Sequence, residues 1–525
     1  MRDRIKAIST VEELIDRTLY EDWDEIDDDF EKAQIKTLIC KRARELRCLS
    51  DVKNIFRQIA KMTNSFRYTK DETPWIVETS RGRYVNAGLL AQHMTEDINY
   101  FALRREFDEK DDLYIYEPSK GFYEFCNRNA FKSRVSTYIP TELQSNGLFD
   151  NVYGLFMSSP NLRVLQPEQL NCDDRYINVQ NGLYNVYTGK LEEHSSAVYS
   201  TIQINCKYTD EVDAPMFMKY LSDLCSEDDT GETDTSKAQL LMEWMGLALS
   251  NIDISVLKKS LWLYSALGNS GKSVYFEIIR MLLGSKNIVN IPIQKLDDRF
   301  SGGALFGRRL NIVPDQSTEN VMSSSVFKQT TGGDNIGAEI KGKTLFTFRY
   351  RGGMMFGCNG LPYISDDSGS HLFDRMTIVP CLHTVPPEEQ DFELIKKLET
   401  EKDSIFSFAM EALTRFIANN KRFTACSASD DIMKEYRAKS DTLYAYCLEF
   451  YDLTFDKKDK VYRKDFDHEY AIWCQSNERI CVKKRNMVEK MAKLGVRKVT
   501  LHGYDYYVGL ERKEFKGAEK EQNAE

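Results

Sequence analysis

Zinc-ribbon and disulfide chemistry find no footing in this sequence. Its 12 cysteines are scattered singly, none in a C-x-x-C pair, and no signal-peptide pattern precedes them, so they read as buried thiols of a reducing cytosol. Long hydrophobic runs are missing too. A membrane-spanning helix needs about eighteen consecutive apolar residues, and even MMFGCNGLPYI is short and broken by Asn359 and Pro362. Positive charge is in deficit: the net charge is −10, so any nucleic-acid site has to be a local concentration of Lys and Arg. Residues 255–385 hold one, with 15 Lys and Arg against 10 Asp and Glu. A hydrophobic content of 42% excludes general disorder and suffices for the cores of about three or four domains in 525 residues.

The most informative stretch is SLWLYSALGNSGKSVYFEIIRM, from Ser260 to Met281. Leu261 to Tyr264 reads as a buried strand. The small-residue turn Gly268-Asn269-Ser270-Gly271 follows, and Lys272-Ser273 opens a run with helical spacing that stops at Gly284. Strand, glycine turn and helix is the context of a phosphate-binding loop. Backbone N–H groups and the helix N-terminus cradle phosphate oxygens there, a lysine reaches the outer phosphates, and a hydroxyl holds magnesium. Lys272 and Ser273 take those two roles. Ala266 stands where the pattern has its first glycine, which is tolerable if its φ is negative. The competing reading is a glycine-rich turn with an incidental lysine.

Four further motifs follow. GRRLNIVPD is an apolar strand ending in Asp315, a candidate to hold the magnesium hydration shell; its neighbour is Gln316 where many ATPases carry a second acid. FKQTTGGD and then IKGK read as two glycine-bounded turns, with a β-hairpin presenting Lys341 or Lys343 to a phosphodiester backbone. GMMFGCNGLP is a strand terminated by Asn359, placed to sense a γ-phosphate or orient water, and Phe373-Asp374-Arg375 precedes one more strand, MTIVP.

Along the rest of the chain, residues 1–65 look helical, with an acidic cluster from Asp22 to Asp29 that reads as a solvated face, and no primase-sized catalytic module is apparent. Residues 66–205 have the texture of an α+β domain, with turns at Asn181-Gly182 and Thr188-Gly189; its many aromatics suit a core better than base stacking. A helical collar or linker (206–254), an ATPase domain (255–385) and a helical extension (386–430) follow, with a mixed segment at 420–440. Residues 431–515 combine helices with a hairpin turning at His502-Gly503, a winged-helix pattern in which Lys483, Lys484 and Arg485 are candidate DNA contacts, and 516–525 is a disordered tail by composition. The expected fold is multidomain α/β: a P-loop, AAA+-like ATPase core with an N-terminal α+β and helical region and a C-terminal winged helix.

Taken as ordered blocks, NGLYNVYTGKLEEHS, GNSGKS, GRRLNIVPDQS, FKQTTGGDNIGAEIKGK, FGCNGLPYISDDS and FDRMTIVPC resemble the superfamily 3 helicases. The resemblance is to the branch found in phage and poxvirus-type primase–helicases and in self-replicating genomic islands, and it covers roughly 170–385. It implies that Gly268, Asn269, Ser270, Gly271, Lys272 and Ser273 bind ATP, that Ser273 and Asp315 hold Mg2+, and that Asn359 is the sensor. Lys341 and Lys343 would lie on a hairpin in a central pore, and Arg375 would be an arginine finger supplied to the neighbouring subunit. A site completed in trans requires an oligomer, and the family forms hexameric rings. The expected protein is therefore an ATP-driven DNA helicase of a phage or mobile element in a bacterial cytoplasm. It would act on single-stranded DNA and on duplex DNA at an origin, with a separate primase and no membrane. A DNA-binding initiator scaffold that uses ATP only to assemble is the alternative kept open by Gln316; a small-molecule P-loop kinase would leave the lysine hairpin and C-terminal domain without work.

Overall fold

Alternation along single strands decides how the central sheet is buried. In β1 (Ser260–Tyr264), Leu261 and Leu263 enter one core while Trp262 enters another, the period of two that a strand imposes. After β2 (Ile288–Val289) the same split recurs: Leu310 and Ile312 against Val313 in β3 (Leu310–Val313), Met355 against Met354 and Phe356 in β4 (Gly353–Cys358), and Val379 against Ile378 in β5 (Met376–Pro380). With both faces covered, neither face needs polar residues, so these strands are near-continuous apolar runs. Every pairing is parallel and the order is β2-β3-β4-β1-β5. The strands that follow β1 in sequence stack away from it on one side, and β5 closes on the other. The carboxyl ends around β1 therefore border the crevice where open parallel sheets place ligands.

This computed structural model describes residues 1–513 except 25, 27–28, 57–72, 80–81, 105–110, 228–230, 320, 322–323, 343–344, 363–369, 478 and 480. Two compact units are present, 1–101 with 125–163, and 102–124 with 164–525. In the first, short helices from Arg2–Ala7 to Asp29–Glu45 bury Ile5, Leu14, Leu19, Ile35 and Ile39, and Thr10 and Glu13 form a capping box. Helices Ala87–Asp97, Arg128–Ser136 and Asn146–Met157 complete it. Residues 27 and 28 of the acidic cluster, like the 516–525 tail, lie outside the described residues.

In the second unit, one face of the sheet carries α1 (Pro215–Leu224), α2 (Thr235–Leu249), α3 (Lys272–Leu283) and, later in the chain, α5 (Lys402–Ala418). The segments expected as a collar and as an extension thus share one core with the sheet. A Cβ at Gly246 would sit 2.6 Å from Ala409 O and 2.8 Å from Leu413 Cβ, so the missing side chain is what lets α2 and α5 touch. The other face packs α4 (Ser325–Gly332), the hairpin of Asn335–Ala338 with Phe346–Arg349, and α6 (Ser427–Ser440). Two sequence readings change here. FKQTTGG is not a turn but the body of α4, ended by Gly333 at φ 77, so only one of the two glycine-bounded turns belongs to a hairpin. The mixed segment at 420–440 is α6, which runs through residue 431 and sends Tyr436 into the sheet's second core.

A separate core begins at Leu443. Helix Thr442–Phe450, strand Lys460–Tyr462, helices Arg463–Ser476 and Lys484–Lys493, and the hairpin Arg497–Leu501 with Tyr504–Val508 follow in that order. The three strands form one antiparallel sheet. His502 and Gly503 at φ 50 and 83 make its two-residue turn, the conformation that matches strand twist.

One cap is delivered across the fold. The residue before α1 is Ala214, which has no side-chain acceptor, and Pro215 opens the helix. Glu401 fills the gap, accepting from Met216 N at 3.1 Å and Phe217 N at 2.9 Å. Glu401→Ala would leave two amide donors unpaired beside a buried core and should cost about 2–3 kcal/mol. The check is amide exchange: Met216 and Phe217 should exchange faster than in the parent, and unchanged protection there would refute the capping role.

Candidate phosphate-binding site

Residues 265–271 connect β1 to α3. Within this loop only Asn269 (φ 58) and Gly271 (φ 81) adopt positive φ, so Ala266 occupies its position without left-handed strain. Gly271 is different: a Cβ there would combine that φ with an approach of 3.3 Å to the Tyr220 ring. No side chain caps α3, which leaves its first N–H groups and the positive end of its dipole facing the crevice. The loop is braced from outside. Tyr220 on α1 donates its hydroxyl to Gly271 O at 3.0 Å, and Val385 N donates to Asn269 O at 2.9 Å. Neither brace has a sequence signature; Tyr220 is an ordinary apolar-face residue of a helix some 50 positions upstream.

Lys272 is buried, with 7% of its surface exposed. Its ammonium donates to Ser270 Oγ and to Asn359 Oδ1, each at 3.1 Å. Burial pulls its pKa below the usual lysine range, and the Asp315 carboxylate opposes this; Cys381 and Cys358 lie beside it. Burial pushes both thiols up to about 12, so they are neutral neighbours and not nucleophiles. Asn359 follows β4, which pairs directly with β1, and Asp315 follows β3, next along the sheet. Asn359, Asp315 and Ser273 are all exposed at this carboxyl edge, where an incoming phosphate or a hydrated cation can reach them.

Gln316 is not available to a ligand. It is 2% exposed; its Oε1 accepts from Ile293 N at 3.0 Å, and its Nε2 donates to Gln294 Oε1 at 2.7 Å and Ser317 O at 3.0 Å. An amide supplies one acceptor and two donors there, which no carboxylate can do. Gln316 is thus a brace for the segment carrying Asp315.

The remaining sequence candidates lie apart. Arg375 precedes β5, level with the start of β1, so strand rise alone puts it about 15–20 Å from the loop. Its Nη1 donates to Thr331 Oγ1 at 3.2 Å, and its buried Nε has no partner among the described residues. Lys341 is exposed in the turn of the hairpin; Lys343 lies outside the described residues. Lys483, Lys484 and Arg485 are exposed at the start of helix Lys484–Lys493. Among the described residues no cluster of three or more His, Cys, Asp or Glu could hold a metal by itself, and no helix is long and apolar enough to cross a membrane.

Residues 88–226 match the family described as D5 N terminal like, and residues 263–375 match a family of unknown function, DUF5906. The second match spans the strand–loop–helix, Asp315, Asn359 and Arg375 together. Among solved structures, three of the NrS-1 C-terminal region, two of them an A form and all apo, are similar at 10%, 9% and 11% identity. They cover 80%, 81% and 81% of this chain and 99% of theirs, with TM-scores of 0.45, 0.43 and 0.42.

The Gln316 geometry yields a test. Gln316→Glu, which would create the paired acids of many ATPases, places a carboxylate against two acceptors and removes both donors. It should lower stability by about 2–4 kcal/mol without raising ATP turnover. Thermal melting and a phosphate-release assay check this, and a stable variant with faster turnover would show that residue 316 belongs to the chemistry.

Proposed function

We propose that this chain is an ATP-dependent replicative DNA helicase of a phage or mobile element, working as a hexameric ring. The observation that carries the reading is the buried Lys272 ammonium, held at the mouth of an uncapped helix by the amide of Asn359 from the adjacent strand. An ammonium kept dry beside an exposed polar edge is poised to exchange its neutral partners for phosphate oxygens, which are stronger acceptors. The D5 N-terminal-like match over 88–226 agrees with a replication role.

In this reading Lys272 leaves Asn359 Oδ1 for the outer phosphates of ATP, and the freed amide orients the attacking water. Loop amides of Gly268 to Gly271 bind the inner phosphates. Ser273 and Asp315, both exposed oxygen donors, suit Mg2+, which takes few protein ligands and keeps its waters; the ion would supply neutralisation of phosphate charge. Gln316 does not act in the chemistry, so the water is positioned by Asn359 and by Asp315 rather than by a second acid. Arg375, remote from its own loop, would act on the ATP of the next subunit.

DNA would be held by exposed cations. Lys341 lies in the turn of a hairpin whose turn end is braced by Arg299 paired with Glu339, which would steady the tip against a DNA backbone. Lys483, Lys484 and Arg485 crowd the positive end of a helix dipole, an arrangement that is locally unfavourable and that an anionic duplex would relieve. The assembly-only scaffold remains distinct by one measurement: stimulation of ATP turnover by single-stranded DNA supports the helicase, and turnover indifferent to DNA supports the scaffold.

Two mutational outcomes follow. Arg375→Ala should still bind ATP but hydrolyse it roughly three to five orders of magnitude more slowly, and mixing it with Lys272→Ala subunits should restore activity through hybrid interfaces. Mixed oligomers that never exceed the sum of the separate variants would rule out the trans site. Lys341→Ala should weaken single-stranded DNA binding and reduce the slope of log affinity against log salt by about one while basal ATPase is kept; an unchanged slope would move the DNA path away from the hairpin.

A further inference from the structure

Four arginines line a cavity at the amino end of the strands, opposite the phosphate loop. Arg308 and Arg309 precede β3, Arg349 and Arg351 precede β4, and those strands pair from Leu310 and Gly353 onward. The cavity holds about 140 Å³ and is also lined by Glu168, Asn171 and Thr201 from the segment preceding α1.

The four arginines are not equivalent. Arg309 is structural: it is buried and donates to the carbonyls of Ala248, Arg351, Leu247 and Ile252. Arg349 and Arg351 share a single carboxylate, Asp253, at 2.8 and 3.9 Å. Their Nε donors are buried without a hydrogen-bond partner among the described residues. Arg308 is exposed, and its guanidinium makes no hydrogen bond or ion pair among the described residues. A folded chain rarely leaves two buried donors empty side by side, because each costs its lost hydration. The fold therefore holds positive charge and donors in excess of what it uses.

Among the described residues, Asp253, paired with Arg349 and Arg351, and the lining Glu168 are the carboxylates beside these four cations, which leaves two positive charges uncompensated. Apolar cover from Phe306 and Phe348 keeps the site low in dielectric and strengthens its pull on an anion. Two excess charges presented by forked guanidinium groups match a phosphate monoester, which carries about −1.5 to −2 at pH 7 and accepts paired N–H donors. A backbone phosphodiester carries one charge and would leave the excess unmet. A cavity of similar size holds a molecule as small as benzene, so a phosphate and part of its sugar fit while a base stays at the mouth.

We propose that this cavity binds a phosphate monoester dianion, carried by a nucleoside monophosphate or by the 5′ end of a DNA strand. The phosphate assignment stands on the cavity alone; only the nucleotide character of the ligand rests on the proposed function.

The test uses the full chain carrying Lys272→Ala, so that the phosphate loop does not dominate, and calorimetric titration with dTMP, thymidine, and (dT)4 bearing a 5′-phosphate or a 5′-hydroxyl. The phosphate-bearing probes should bind, and adding Arg308→Ala or Arg308→Glu should weaken them at least about tenfold. Arg308 is exposed and unpaired, so both variants should fold, which thermal melting verifies. An Arg308-dependent loss seen for the oligonucleotide alone assigns the strand end, and one seen for dTMP alone assigns the free nucleotide. Equal affinity of every phosphate-bearing probe with and without Arg308, or equal binding of the 5′-hydroxyl and 5′-phosphate strands together with dTMP binding no tighter than thymidine, overturns the proposal. ATP binding to the parent loop, measured with Lys272 intact and Arg308→Ala, should be unchanged; its absence from both the parent and Arg308→Ala would instead refute the phosphate-loop reading and leave the cavity result standing.

Discussion

A lysine ammonium almost out of water is the constraint that the rest of the second unit satisfies. Lys272 can stay charged only if acceptors reach it, and the two that do, Ser270 Oγ and Asn359 Oδ1, come from the loop itself and from a residue 87 positions away. For Asn359 to arrive, β4 must lie against β1. That insertion fixes the strand order, puts β3 and Asp315 one place further out, and buries both faces of the sheet. The helical layer of α1, α2 and α5 then serves the same end, since Tyr220 on α1 holds Gly271 in place and Glu401 at the head of α5 caps α1.

Charge is distributed by the same logic of partners. Arg309 would be expensive to bury alone; burial pulls its guanidinium down to about 10. The carbonyls of Leu247 and Ala248 at the negative end of α2 meet it there. This arginine consequently ties the helical layer to the head of β3. At the start of helix Lys484–Lys493 three exposed cations meet the positive end of a helix, with Asp467 set against Lys484, and around Arg308 the donors outnumber the acceptors. Compensated cations hold the fold, and the uncompensated ones are the surfaces at which an anion is proposed to bind.

Much of the site was legible because its chemistry needs contiguous residues. Strand, glycine turn and Lys272-Ser273 must be consecutive to cradle phosphate, and Asp315 and Asn359 must end apolar strands, so each left a local pattern. The misreadings have equally local causes. In FKQTTGG the paired glycines suggested a turn, but Gly333 is the left-handed residue that ends α4, and the β-branched threonines before it are held by bonding back to Phe327 O. In SASDDIMKEYRAKS the charged residues hid a helix whose sparse apolar face, Ile432, Met433 and Tyr436, is completed by the sheet's second core.

Residue order by itself determined the elements that repeat or punctuate: buried strands, the loop, the hairpin at His502-Gly503, and the local excess of Lys and Arg. What only the tertiary structure decided are the relations between distant residues: that Gln316 braces the segment beside Asp315, that Tyr220 and Val385 hold the loop, that Arg375 stands far from its own Lys272, and that four arginines share one cavity. The reason is physical. A local pattern records what a residue's neighbours in the chain require of it, whereas a hydrogen-bond partner or a shared charge comes from whichever segment packing brings within about 3 Å, and burial then makes that partner obligatory.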